Sequence, residues 1–440
     1  MDVTFIDRAL GSGIPYITYA IPFFFLLIGL EFAAGLALHR DDYRLNDSLS
    51  DLGCGIADQV IGLFLKTAVF AGYLWCYQFV TVREWNLVAV ETYSAGGKWA
   101  AAVALLLGVD LGYYWFHRIS HERNLPWAGH VVHHSSEEYN LTVALRQGAT
   151  QSLFSWVFYL PLALLGFPPL WFLAVSAFDT LYQFWIHTRV IDRLGWLELV
   201  LNTPSHHRVH HARNAQYLDR NYAGVLIVWD RWFGTFEPEV EEPVYGLTKP
   251  LDSWNPVWAN LHVWVDLARD AWMAPRWADK LRVWVAPQGW RPAGLPARAP
   301  APAFDPGHVV RYDARAPVRV SLYVSLQFLV TLGFAVSLLV SAPSRTDVLT
   351  LAASVVFVLW SLGNGAGLTE RRWWAGASEA LRLAAAGALA LHALATKPIA
   401  IPATLVLGGV ALSALWLLGC RAWLRQVRDE VDTASLAAQG

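Results

Sequence analysis

Charge is the first thing this sequence has little of. Asp, Glu, Lys and Arg make up 15% of its 440 residues, against roughly 25% in ordinary soluble proteins. The charges also nearly cancel, 33 basic residues facing 35 acidic ones for a formal net charge of -2. That balance excludes a strongly basic nucleic-acid binder, and no nucleic acid is expected among the partners. The same composition excludes a disordered chain, a collagen and a coiled coil. Cysteine is scarce too: Cys54, Cys76 and Cys420 are too few for a disulfide framework and have no C-x-x-C spacing. What is abundant is apolar and aromatic, with 55% hydrophobic residues and 23 Trp. Histidine is the oddity, because ten of the 14 fall within residues 117–211.

Crossing a bilayer core of about 30 Å takes roughly 20 apolar helical residues. Residues 15–38 are long enough, with Glu31 as their one charge, and they lack the basic start and cleavage site of a signal peptide. Further spans are expected at 60–81, 99–116, 319–341, 347–364, 376–395 and 401–419. The apolar stretch 151–187 is interrupted by Gly166, Pro168 and Pro169, so it reads as a helical hairpin with both ends on one side of the membrane. Counting Lys and Arg in the short connections puts ten on the His-bearing side and five opposite, which places the His boxes in the cytoplasm.

The expected fold is therefore all-α, a polytopic integral membrane protein with a cytosolic His-rich metal-binding cap. Residues 1–98 form N-terminal transmembrane helices, and 99–250 a di-metal His-box domain. Residues 251–318 hold a Trp-rich segment, suited to the membrane interface or to packing a small cap, and a Pro/Ala linker (291–306). Residues 319–440 form a C-terminal four-helix block.

The histidines carry the chemistry. His117 and His121 are spaced H-x3-H, His130, His133 and His134 form H-x2-H-H, and His207, His210 and His211 repeat that box. His187 stands alone at the end of the hairpin. Helical residues three or four apart lie about 5–6 Å from each other on one face, close enough to share a metal ion. Nine such rings exceed the four ligands of one zinc, so two metals are implied. Imidazole suits Zn, Cu, Fe and Ni, and the H-E-x-x-H arrangement of zinc proteases is absent. All-His ligation suggests two irons, with zinc as the main competitor. Carboxylates are expected behind the rings to orient them. Asp110, seven residues before His117, and Asp179 and Gln183, eight and four before His187, share faces with the ligands. Glu122 follows His121 directly but points about 100° away on a helix.

These boxes, within WFHRISHERNLPWAGHVVHHSSEEYNLTVALRQ (115–147) and NTPSHHRVHHARNAQYLDRNYAGVLIVWDRWFGTF (202–236), resemble the fatty acid hydroxylase / sterol desaturase superfamily. Glu122 after the second His, the run YGLTKPLDSWNP (245–256) and the extra C-terminal spans resemble its alkylglycerol monooxygenase branch. The resemblance implies a membrane di-iron oxidoreductase, in the endoplasmic reticulum or a bacterial inner membrane, with the nine histidines as ligands. His206 is an ambiguous alternative to His207. The reaction implied is O2-dependent oxidation of a lipid C–H bond, hydroxylation or desaturation, and on that branch cleavage of an ether lipid. A lipid in the bilayer and O2 would be partners, with an electron-donor protein or reduced cofactor, tetrahydropterin by resemblance. Asn140, Arg146, Gln147, Asn221, Tyr222 and Asp230 follow the boxes and could orient a headgroup or cap loops. The alternatives are a sterol or carotenoid desaturase or hydroxylase of the same superfamily and, from another class, a membrane zinc hydrolase.

Overall fold

The computed structural model describes residues 16–82, 90, 93–296, 305, 309–345, 347–396 and 404–420. Among them there is no β-strand, only three isolated bridges, in keeping with the expected all-α architecture. Two compact units divide the chain, one of residues 1–251 and 260–310, the other of 252–259 and 311–440.

The first unit is built on three long helices: α1 (Tyr16–Ala37), α2 (Leu45–Val82) and α3 (Ala95–Glu122). Short α4 (Asn124–His130) follows at once. Helical turns over Ser152–Leu165 lead into α5 (Pro169–Trp185). Gly166 supplies the left-handed C-cap between them at φ 93°, and Phe167 N donates back to Leu162 O at 3.1 Å. The expected hairpin over 151–187 is thus present as two short arms. Its apolar side packs against Tyr73 and Cys76 of α2 and Leu105 and Val109 of α3. Phe24 of α1 stacks on Phe184 of α5 at 4.4 Å between centroids. Then come α6 (Pro204–His211), α7 (Val228–Phe233), α8 (Pro256–Met273), which belongs to this unit from residue 260 on, and α9 (Trp277–Val285).

The second span differs from expectation. A start at residue 60 was expected, but α2 begins at Leu45 and runs 38 residues. At 1.5 Å per residue that is about 57 Å, well beyond the roughly 30 Å apolar core. The polar stretch before residue 60 is helical because Asp47 and Asp51, one turn apart, both find partners in the loop after the second His box. Ser136 Oγ donates to Asp47 at 2.6 Å, and Arg146 Nη1 to Asp51 at 2.9 Å. Gly55, one turn on, lets that loop approach: a Cβ there would sit 2.5 Å from the Leu145 carbonyl oxygen.

In the second unit, α10 (Val318–Arg345), α11 (Val348–Thr369), α12 (Ala375–Thr396) and a shorter apolar helix (Thr404–Cys420) lie over the four stretches where spans were expected, and of these α10 and α11 are long and apolar enough to cross a membrane. A buried polar cluster joins three of them: Arg382 of α12 pairs with Glu379 at 2.6 Å and donates to Gln327 of α10 at 2.7 Å. Asn364 of α11 donates to Glu379 at 3.1 Å. Residues 297–304 and 306–308, most of the expected linker, lie outside the described residues.

Among the described residues five helices, α1, α2, α3, α10 and α11, are long and apolar enough to cross a membrane. On α1 the side chains of Phe23, Leu26, Leu30 and Leu36 are exposed, a surface unfavourable in water and suited to lipid. The chain is a multi-pass membrane protein.

Candidate metal centre

The last two turns of α3 place His117 and His121 on one face, four residues apart. His130 ends α4, and a 3-10 turn, His133–Ser135, follows it. α6 carries the third box and is held by Arg208, whose guanidinium grips the Glu239 carboxylate with two bonds of 2.7 Å. These elements assemble nine buried imidazoles into two groups, His117, His121, His130, His134 and His210 in one and His133, His187, His207 and His211 in the other. Within each group one nitrogen per ring lies within 4.8 Å of all the others. His206 belongs to neither; its ring lies against Phe236, with Nδ1 3.4 Å from Thr203 Oγ1.

The structure divides the rings of the second and third boxes between the two groups. Side chains four apart on a helix share a face, whereas a neighbour points about 100° away. So His130 and His134 serve the first group while His133 turns to the second. In the third box His207 and His211 serve the second group, and His210 reaches across to the first.

A network outside the rings fixes their orientation. Nδ1 of His117 faces Tyr222 O at 2.7 Å, that of His133 Arg146 O at 3.0 Å, that of His187 Gln183 O at 2.7 Å and that of His210 Arg220 O at 2.8 Å. His130 Nδ1 meets Gln151 Oε1 at 2.8 Å. Carbonyl oxygens only accept, so these Nδ1 atoms carry the protons and each Nε2 keeps a lone pair turned inward. His133 and His187 then point lone pairs at each other across 3.2 Å. Only a proton or a metal ion between them relieves that repulsion. Burial opposes the proton: it holds His130 at about 3 and His187 at about 4, and with crowding by neighbouring imidazoles holds His133, His134, His207, His210 and His211 well below the ordinary 6.5. Neutral, inward-facing and mutually close, the rings fit metal ions. Buried Nε2 atoms of His117, His121 and His210, without hydrogen-bond partners, agree with that role.

Carboxylates were expected directly behind the rings, and carbonyls hold most of those places. An uncharged carbonyl orients a ring without the desolvation cost of a buried anion. Asp110 touches no imidazole. Its carboxylate accepts from Val225 N at 2.7 Å, Leu226 N at 2.9 Å and Trp229 Nε1 at 2.8 Å, anchoring the loop that carries Tyr222. Asp179 accepts from Gln183 Nε2 at 2.8 Å, and Gln183 serves His187 through its backbone oxygen. Glu122 turns to Arg118 at 2.9 Å and is part-exposed.

The residues considered for a headgroup have partners within the protein. Asn140 donates to Asp42 O at 2.7 Å, and Gln147 to Ala144 O at 2.9 Å. Fully buried Arg146 donates to Val132 O, Ser135 Oγ, Ser50 Oγ and Asp51 at 2.9–3.0 Å. Asn221 takes the left-handed φ of 55° that Asn tolerates better than most residues, and its side chain brackets Glu237. Tyr222 offers its carbonyl to His117, and Asp230 accepts from Tyr222 N and Ala223 N at 2.8 Å each.

Sequence reasoning passed over Gln151, Asp51 and Asp219, the last 3.6 Å from His121 Nδ1. Gln151 lies 21 residues from His130 with no periodicity linking them. For Asp51 a signal existed: the Asp47, Asp51, Gly55 repeat, four residues apart, marks one helix face.

Comparison with known proteins agrees with this geometry. The fatty acid hydroxylase family model matches residues 102–235, which span all nine rings. Alkylglycerol monooxygenase of Homo sapiens is 39% identical over 83% of this chain and 80% of its own length. The Danio rerio enzyme of the same name is 42% identical over 79% and 77%. An ornithine lipid hydroxylase of Rhizobium tropici is 35% identical over 32% of this chain and 43% of its own. No solved structure matches the chain.

Proposed function

This chain belongs to the fatty acid hydroxylase family, beside the alkylglycerol monooxygenases, and is a membrane oxygenase that hydroxylates lipid; we propose that its substrate is a glyceryl ether and that its nine histidines hold two irons. The observation that carries the proposal is the division of the rings into two all-histidine groups, five and four, in a chain that aligns with alkylglycerol monooxygenases over most of its length. Bound iron would supply activation of O2 for insertion of one oxygen atom into a C–H bond.

The chain's own residues do the rest. Carbonyls of Tyr222, Arg146, Gln183 and Arg220 hold the Nδ1 protons outward, so each ring presents a fixed donor. Trp127, Tyr139 and Tyr222, each within 6 Å of one of these rings between centroids, help to keep water from the centre. The exposed apolar faces of the spans would admit a lipid laterally and aim one methylene at the centre. Hydroxylation of the carbon beside an ether oxygen takes O2, two electrons and two protons, and releases water. The resulting hemiacetal splits its C–O bond to an aldehyde and an alcohol. We take the reductant to be an external reduced cofactor of the pterin class or an electron-donor protein. The excess of Lys and Arg argues for a cytoplasmic orientation of the rings.

The test combines metal analysis of protein purified in lipid nanodiscs with incubation on a 1-O-alkylglycerol. Two irons per chain and a fatty aldehyde of the same chain length are expected. About one zinc, no iron and no oxidation would favour a hydrolase and sink the proposal.

A further inference from the structure

Among the four rings that face a backbone carbonyl, His117 differs from His210 in what lies behind that carbonyl. His117 Nδ1 donates to Tyr222 O at 2.7 Å. The N–H of that same peptide unit, Ala223 N, donates to Asp230 Oδ2 at 2.8 Å. The other oxygen of Asp230 accepts from Tyr222 N at 2.8 Å and Thr235 Oγ1 at 2.7 Å. Asp230 is fully buried, so little water screens it. A carboxylate on the N–H end of a peptide pushes electron density toward the carbonyl end, and consecutive hydrogen bonds reinforce each other. His210 supplies an internal comparison. Its carbonyl partner, Arg220 O at 2.8 Å, belongs to a peptide whose N–H, Asn221 N, donates to the uncharged Thr235 O at 3.1 Å.

We propose that Asp230 acts on His117 through the Tyr222–Ala223 peptide, raising the donor strength of that one ring and so the metal affinity of the five-histidine group. The carboxylate absent from contact with His117 is thus one peptide removed and acts as a positioning residue, not a ligand. The inference rests on the two-metal reading above.

The test uses full-length protein in nanodiscs, stripped of metal and titrated with Co(II), whose visible absorption reports each binding step. His187→Ala removes a ligand of the second group only, which assigns the steps. Asp230→Asn is expected to weaken the first-group step by about tenfold or more and leave the second unchanged, the scale usual for residues behind a ligand. Thr235→Val removes a hydroxyl from the same carboxylate without touching Ala223 N; it is expected to keep both steps. Equal weakening of both steps in Asp230→Asn, no weakening, or the same loss in Thr235→Val overturns the relay. Wild-type protein that takes up no Co(II) overturns the two-metal reading and the relay with it. If Asp230→Asn does not fold, the 15N shift of the His117 Nδ1–H in wild-type protein decides. A shift further downfield than that of His210 supports the relay, and equal shifts overturn it.

Discussion

Arg146 and Asp51 form an ion pair with side chains 2% and 0% exposed, 2.9 Å apart. Replacing Arg146 by Met leaves the Asp51 carboxylate buried without its cation, and Asp47 one turn away adds like charge. Breaking a buried pair from one side costs about 3–5 kcal/mol. Most neighbouring groups keep other partners: Val132 O still accepts from Ser135 N and Ser135 Oγ, and Thr142 Oγ1 retains Asn140 Oδ1, while Ser50 Oγ loses its bond from Arg146. Little of the cost should therefore come from orphaned donors and acceptors. Adding Asp51→Leu removes the uncompensated charge, so the double variant should recover most of the loss and come within about 1–2 kcal/mol of wild type, because apolar replacements of buried pairs are often near neutral. Unfolding in nanodiscs of wild type, both single variants and the double variant gives the coupling directly. Additive losses, with coupling near zero, would refute the claim that Arg146 acts chiefly as the counter-charge of α2. So would a cost below about 1 kcal/mol for Arg146→Met, a magnitude typical of exposed pairs.

Three further outcomes follow from the same geometry. His210→Ala and His133→Ala should each abolish lipid oxidation while the protein still inserts. Metal analysis should show His210→Ala depleting the five-histidine group and His133→Ala the other; retained oxidation in either would remove that ring from the ligands. In metal-free protein, His130 and His187 stay neutral down to about 3 and about 4, whereas in the unfolded chain they protonate near 6.5. The unfolded state therefore binds more protons in that window, and stability should fall as pH drops below about 6.5 until the folded rings protonate too. A melting temperature flat between those limits would contradict it. Gly55→Ala should cost about 1–3 kcal/mol, because its Cβ meets backbone oxygen at 2.5 Å, not a movable side chain; an unchanged melting temperature would refute the close approach.

The sequence was most legible where periodicity and chemistry coincide. Apolar runs located the spans, and H-x3-H and H-x2-H-H announced rings at helix ends. The length of α2 was harder to see, since Asp47 and Asp51 look like loop charges until their partners, 85 residues and more downstream, are known. The partition of each box was hidden for another reason. Equal spacing hides which ring turns to which neighbour, because that depends on how α6 meets the turn at His133–Ser135. Asp110 stands out as a charge inside a span, but its partners lie on a loop and at the start of α7, more than 100 residues away. Three-dimensional pairing decides such matters, and local pattern carries no trace of it.

The interleaving of the two groups also bears on how the protein is made. When the chain has emerged through His187, the first group has four of its five rings and the second only two of its four. The third box, arriving together on one short helix, completes both within eight residues. Any break in the chain between residues 135 and 186 divides both groups at once. Neither fragment would retain a whole set of rings, so the two groups are completed together or not at all.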